Sequence, residues 1–113
     1  MTTIDAQNKK LGRVATEVVR ALRGKDAISF SRNVEPKRDV VVLNADKIDV
    51  SAKKKGTKTY FRHTGHIGGA KQETLAHVIG KKGISEALKK AVYGMLPGNK
   101  LRARMMKRLT IKA

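Results

Sequence analysis

The chain has 113 residues, which is long enough for one domain with a modest hydrophobic core. It carries 26 Lys and Arg against 9 Asp and Glu, a net charge of +17, and 40% of its residues are hydrophobic. A charge this large repels itself in a compact domain, and a polyanion such as nucleic acid relieves that repulsion. The sequence therefore predicts a single domain, residues 1–113, that binds nucleic acid.

Other classes of protein fit the sequence poorly. The absence of cysteine excludes a disulfide framework and fits an intracellular protein. No apolar run approaches the roughly 20 residues that a membrane span requires. The start, MTTIDAQNKK, has neither a secretory hydrophobic segment nor the character of a transit peptide. We therefore expect a cytoplasmic protein with no membrane contact and no small-molecule substrate.

The positive charge is concentrated in the second half of the chain. Residues 1–50 carry 10 basic and 7 acidic side chains, whereas residues 51–113 carry 16 basic and 2 acidic ones. The second half is therefore the predicted binding surface, and the first half is the scaffold.

The first half predicts a βαβ unit. TTID, residues 2–5, is a short strand candidate. Apolar residues of LGRVATEVVRALR repeat with helical spacing and predict a helix over 11–23, capped by Asn8 at its start and by Gly24 at its end. The β-branched run DVVVLNA, 39–45, is typical of a strand buried on both faces.

The second half begins with a basic turn that leads into a strand over 53–63, followed by a glycine loop. A short helix is predicted over 74–80 with Thr74 as its cap.

Two further helices follow. Apolar spacing predicts a helix over 84–96, with Ser85 as its cap and Pro97 as its stop. Asn99 is expected to cap the basic helix KLRARMMKRL, and TIKA, 110–113, is a last strand candidate. Together these elements predict an α/β fold with a small, mostly parallel sheet and helices on its faces.

The sequence offers little support for metal binding or catalysis. His63, His66 and His77 are the only histidines, and without cysteine they supply too few ligands for a tetrahedral zinc site. The pattern of carboxylates expected of an acid–base enzyme is absent. We therefore expect no metal and no cofactor, although a small nuclease built on His63 and nearby lysines stays open as an alternative.

Two segments are suited to phosphate. GHIGGAK matches neither the P-loop nor the dinucleotide-binding pattern, yet its glycines, beside Arg62, His63 and Lys71, allow close approach to a sugar–phosphate surface. Residues 98–113 contain six basic residues and no acidic one. Like-charged pairs such as Arg104 and Arg108 weaken a helix unless phosphates neutralise them.

Four stretches together resemble one known family. IDAQNKKLGRVATEVVRALRGK, VVVLNADKI, YFRHTGHIGG and AVYGMLPGNKLRARMMKRL are similar, in order and spacing, to segments of the ribosomal protein L13 family. The resemblance runs from Ile4 to Lys112. It implies a three-layer α/β/α fold around a four-stranded, mostly parallel sheet, binding to large-subunit ribosomal RNA beside neighbouring ribosomal proteins, and a structural and assembly role without catalysis.

By that resemblance, the segment from Arg62 to Gly69 is the family's RNA-facing loop, and Met95, Leu96, Pro97 and Asn99 lead into its basic helix. Some positions depart from the family. Its members commonly have Gly-Arg where this chain has Arg102-Ala103, and they continue past the last strand, so contacts made by such a tail are expected to be missing here.

The predicted RNA-binding residues lie in the lysine run, the glycine loop and the basic helix. They are Lys53, Lys54, Lys55, Lys58, Arg62, His63, Thr64, Gly65, His66, Gly68, Gly69, Lys71, Asn99, Lys100, Arg102, Arg104, Lys107 and Arg108. Besides the nuclease, a binder that compacts DNA or RNA without preference stays open.

Overall fold

Three short strands form a parallel sheet with the second strand at its centre. The computed structural model describes residues 2–25, 27–28, 31–33 and 37–113. Strand β1 spans Thr2–Asp5, β2 spans Val40–Leu43 and β5 spans Leu109–Ile111, in the order β1-β2-β5. The strand regions predicted at 2–5, 39–45 and 110–113 are thus confirmed, although the last two begin and end at slightly different residues.

The first helix joins β1 to β2 and completes the predicted βαβ unit. Helix α1 spans Leu11–Arg23, and its apolar stripe is buried as predicted. It ends at Gly24, whose φ of 68° is a left-handed conformation that glycine adopts without a steric penalty. The predicted Asn8 cap is wrong. The helix starts after Lys10, while Asn8 lies one turn earlier and donates its N–H to the carbonyl of Lys47.

A β-hairpin stands apart from the parallel sheet. Strand β3 spans Thr59–His63, β4 spans Ala70–Thr74, and the two pair only with each other in an antiparallel ladder. Strand β4 was not predicted. A mixed α/β fold is confirmed, but the four-stranded sheet is not, since the described residues form a sheet of three strands and a separate pair.

The lysine run is helical rather than a turn. Helix α2 spans Ala52–Thr57, and the hydroxyl of Ser51 accepts a hydrogen bond from the N–H of Lys54. This cap satisfies one of the amides that a helix start leaves unpaired. It provides local support for a helix whose residues are all exposed.

Three more helices follow the hairpin: α3 Leu75–Lys82, α4 Ile84–Met95 and α5 Leu101–Lys107. Thr74 caps α3 as predicted, by accepting from the N–H of His77. Asn99 Oδ1 accepts from the N–H of Leu101 at 3.0 Å, but Lys100 occupies the N-cap position and makes no side-chain cap hydrogen bond, so the predicted Asn99 cap is wrong by one residue. The Ser85 cap is wrong because Ser85 lies inside α4, and the predicted last helix ends early because Leu109 joins β5.

One hydrophobic cluster joins the sheet and the helices. Helix α1 packs on β1, β2 and α4, and Leu88 and Val92 of α4 are fully buried. Met105, which is 4% exposed, anchors α5 to this cluster. From α2, β3 and β4, Tyr60 alone packs against the core. The basic hairpin and lysine helix are therefore held at the edge of the folded body.

Candidate nucleic-acid interface

The β3–β4 hairpin presents opposed positive charges. Arg62 pairs directly across the ladder with Lys71, an arrangement that destabilises a hairpin in isolation. Glu73 offsets part of this charge, since its Oε1 lies 3.4 Å from an Arg62 nitrogen. Lys71 makes no ion pair with the described acidic residues, so the hairpin retains excess positive charge.

The loop at the hairpin tip is shaped by its glycines. Gly65 and Gly68 have φ values of 88° and 74°, which other residues rarely adopt. Within the loop, Thr64 donates its N–H to the carbonyl of Gly69 at 3.1 Å. The predicted glycine loop is thus an ordered turn that connects two strands.

His63 is oriented by a hydrogen bond within this loop. Its Nδ1 accepts from the N–H of Gly65 at 2.9 Å. Because Nδ1 accepts, the neutral ring carries its proton on Nε2. An exposed imidazole with a fixed Nε2–H is a hydrogen-bond donor suited to a phosphate or a base edge.

The lysine helix lies beside the hairpin. Lys53, Lys54 and Lys55 are exposed on α2, and Lys58 follows its last turn. Helix α2 packs on α3 and on β4. These lysines and the hairpin residues therefore form one group of predicted RNA-binding residues, which we call the hairpin group.

The α5 residues form a second group, the α5 group, and some of its arginines have protein partners. The Arg102 guanidinium carbon lies 3.9 Å from the ring centroid of Tyr93, and one of its nitrogens donates to the Tyr93 hydroxyl at 2.8 Å. Arg108 lies 3.3 Å from Asp39, just before β2. Lys100, Arg104 and Lys107 are exposed. Arg108 thus has a role in holding α5 to the sheet, in addition to its predicted contact with RNA.

The comparisons with known proteins concern the sequence of the chain as a whole. The family model described as ribosomal protein L13 matches residues 1–112. The chain is 46% identical over 110 residues to the large ribosomal subunit protein uL13 of Maridesulfovibrio salexigens, covering 97% of this chain and 77% of that protein. It is 47% identical over 110 residues to uL13 of Clostridioides difficile, covering 97% and 76%.

The chain belongs to the ribosomal protein L13 family. The match spans the whole of the sheet, the hairpin group and the α5 group, so the L13 resemblance of the four sequence stretches is confirmed. Among the described residues of this L13 family member, no helix is long and apolar enough to cross a membrane. The same residues contain no group of three or more His, Asp or Glu side chains placed to hold a metal ion.

Helix α4 adds residues that are not among the RNA-binding residues predicted from the sequence. The Lys90 amine lies 5.0 Å from the ring centroid of Tyr60, on the hairpin side. Lys90 also lines a shallow depression with Lys89, Tyr93 and Met106, on the α5 side. In this L13 family member, α4 therefore connects the hairpin group to the α5 group. In the sequence, Lys90 and Tyr93 lie three residues apart on a predicted helix and therefore on the same face, and this spacing was the signal that could have identified them.

Phe61 is a second residue that the sequence reasoning missed. Successive side chains of a strand face opposite sides, so Tyr60 and Phe61 cannot both pack on the body of the protein. Tyr60 packs inward, and Phe61 is 64% exposed. An exposed aromatic ring on a basic hairpin is suited to stacking on an unpaired base. The adjacent pair of aromatics was the signal in the sequence.

Proposed function

We propose that this chain is a structural constituent of the large ribosomal subunit, binds large-subunit ribosomal RNA and supports subunit assembly without catalysis. The observation that carries the proposal is the L13 family match over residues 1–112, together with relatives that are named large ribosomal subunit proteins. Ribosomal RNA and neighbouring ribosomal proteins are the partners that follow from it.

The proposed mechanism is electrostatic docking along two basic groups. Lys and Arg side chains of the hairpin and α5 groups would neutralise phosphates and fix the protein's position, while RNA shape is read more than sequence. Support comes from the distribution of charge, since residues 51–113 carry 16 basic and 2 acidic side chains. The ordered tip and the exposed Phe61 supply hydrogen-bonding and stacking groups between these charges.

We further infer that residues 1–113 act as one domain with three-layer α/β/α packing. The continuous core, which includes residues of β1, α1, β2, α3, α4 and α5, supports a single unit. Unfolding monitored by circular dichroism and by tyrosine fluorescence tests the single-domain assignment, because one domain should give coincident transitions with both probes.

Crosslinking in cells, followed by sequencing of the attached RNA, tests the function. We expect reads confined to one region of large-subunit ribosomal RNA. Reads spread over unrelated transcripts, or recovered mainly on DNA, would contradict the proposal and favour a general nucleic-acid binder.

A further inference from the structure

A small pocket lies where the hairpin group meets the helices, and we call it the Tyr60 pocket. It has a volume of about 260 Å³, just below the range of about 300–1,000 Å³ typical of drug-sized ligands. Segments that are distant in the sequence form its wall: the start of α1, helix α2 with Lys58, strand β3, and the last two turns of α4. Its lining residues are Leu11, Gly12, Lys54, Lys58, Tyr60, Lys90, Ala91, Gly94 and Met95.

The charge of this pocket is entirely positive. Lys58 and Lys90 place their amines 5.7 Å and 5.0 Å from the ring centroid of Tyr60, and Lys54 completes the set. No acidic side chain lines the pocket, and none of the described ones forms an ion pair with these three lysines. Three ammonium groups around a concave site repel one another and favour an anion between them.

The rest of the lining is apolar and leaves room. Leu11, Ala91 and Met95 supply aliphatic surface beside the lysines. At Gly12 and Gly94, an added Cβ atom would meet nothing within 4 Å, so the missing side chains leave open space in the wall. A site lined by both cations and apolar surface matches a ligand that carries a phosphate and a flat, weakly polar ring.

We propose that the Tyr60 pocket holds a single unstacked nucleotide of the bound RNA, with its phosphate at the lysine amines and its base against the apolar wall. The proposal rests on the RNA-binding function above and adds a specific subsite to it. It also assigns a role to Lys90, Gly94 and Met95, which lie outside the predicted loop and basic helix.

Gly94→Leu tests the proposal by filling the pocket. Gly94 lies in α4 with helical backbone and open space at its Cβ, so the substitution should preserve the fold and raise helix propensity. Gly80→Leu in α3 is the matched control, because Gly80 also has open space but does not line the pocket. Thermal unfolding of both variants checks that the fold is retained.

The probe is adenosine 5′-monophosphate, titrated into the isotope-labelled full chain and followed by amide chemical shifts. We expect chemical-shift changes centred on Gly12, Tyr60 and Gly94. Gly94→Leu should lower the affinity for the nucleotide at least about tenfold, whereas Gly80→Leu should leave the affinity unchanged. Inorganic phosphate and adenosine should each bind more weakly than the nucleotide. Equal binding of phosphate alone would overturn the nucleotide assignment, as would nucleotide shifts that Gly94→Leu leaves unchanged.

Photocrosslinking of the full chain to large-subunit ribosomal RNA separates this proposal from the proposed function. We expect crosslinked nucleotides on the peptide that contains Tyr60. This crosslink should be lost in Gly94→Leu and retained in Gly80→Leu. If the chain crosslinks to this RNA but never at that peptide, the pocket assignment fails while the function stands. If the chain does not crosslink to this RNA at all, both fail.

Discussion

Arg102 lies over the ring of Tyr93 and also donates a hydrogen bond to its hydroxyl oxygen, so one side chain of α5 is fixed on α4. A cation over an aromatic ring and a hydrogen bond to the same residue restrict the guanidinium to one orientation. An arginine oriented before it meets RNA loses less side-chain entropy on binding. This pair therefore sets the direction in which the α5 group presents one of its charges.

Replacing Tyr93 should loosen this arrangement. Tyr93→Ala removes both contacts and is expected to lower the free energy of unfolding by about 0.5–1 kcal/mol, the range for an exposed cation–π pair. Tyr93→Phe, which removes the hydrogen bond but keeps the ring, should lower the free energy of unfolding by less. Urea unfolding measures the stability, and filter binding to a large-subunit RNA fragment should show weaker binding for Tyr93→Ala. Wild-type stability and affinity for Tyr93→Ala would contradict this role.

A methyl group at Gly69 should disturb the hairpin tip. An added Cβ would lie 1.9 Å from Thr64 Oγ1 and 3.0 Å from the carbonyl oxygen of His66, so the Thr64 side chain must move away and the backbone at His66 must give slightly. Gly69→Ala is therefore expected to change the amide shifts of residues 63–69 and to weaken RNA binding. Gly80→Ala, where the Cβ meets nothing within 4 Å, is the control. An unchanged tip spectrum in Gly69→Ala would disprove the close approach.

Acid should weaken the contact between β1 and the turn after β2. A hydrogen bond from the Asn44 amide, and a second from the Gln7 N–H, lower the pKa of Asp5 below its ordinary value of 3.8. A carboxylate whose pKa is lowered by folding stabilises the protein fully above its unfolded pKa, and this contribution is lost as pH falls through the folded value.

Unfolding midpoints measured between pH 6 and pH 2 test this, with Asp5→Ala as the comparison. We expect the difference in unfolding midpoint between wild type and Asp5→Ala to become smaller as the pH falls below about 4, the ordinary pKa range of a carboxyl group. A difference that stays constant, or that grows, on acidification would show that the ionised carboxylate does not carry the effect.

Salt should weaken RNA binding steeply if the basic footprint is extended. For about 8 neutralised phosphates, the slope of log affinity against log salt is expected to be about −6 to −7. The double change Lys53→Gln and Lys55→Gln should reduce the magnitude of this slope by roughly 1.4–1.8. Lys25→Gln with Lys37→Gln, which removes the same charge from the less basic half, should have a smaller effect. A wild-type slope near −1 would rule out the extended footprint.

Elements with a strong apolar pattern were predictable from the sequence. The α1 stripe, the valines of β2 and the start of α3 at Thr74 are where the sequence puts them, because burial and capping act locally. Strand β4, AKQET, contains no alternation of apolar and polar residues, and four of its five residues are exposed. Its pairing partner β3 determines its structure, and that information is not local.

The misplaced boundaries have similar causes. Leu109 continues the apolar spacing of α5, but its pairing with Val40 places it in the sheet. Asn8 is a good cap residue by type, yet a left-handed turn places it one turn before α1. For the candidate site, the sequence identified the charged segments, whereas the bridging position of Lys90 depends on how α4 packs against β3.

The position of β5 in the sheet has a consequence for the order in which the chain folds. Central strand β2 is completed on one side by β1, which precedes it, and on the other by β5, which is synthesised only after the hairpin and three further helices. Pairings between residues far apart in sequence form slowly, because a long loop must close first. While the chain is being translated, the basic hairpin and the lysine helix are therefore synthesised before the three-stranded sheet can be completed. A binding surface made ahead of its scaffold can meet RNA while folding is still in progress.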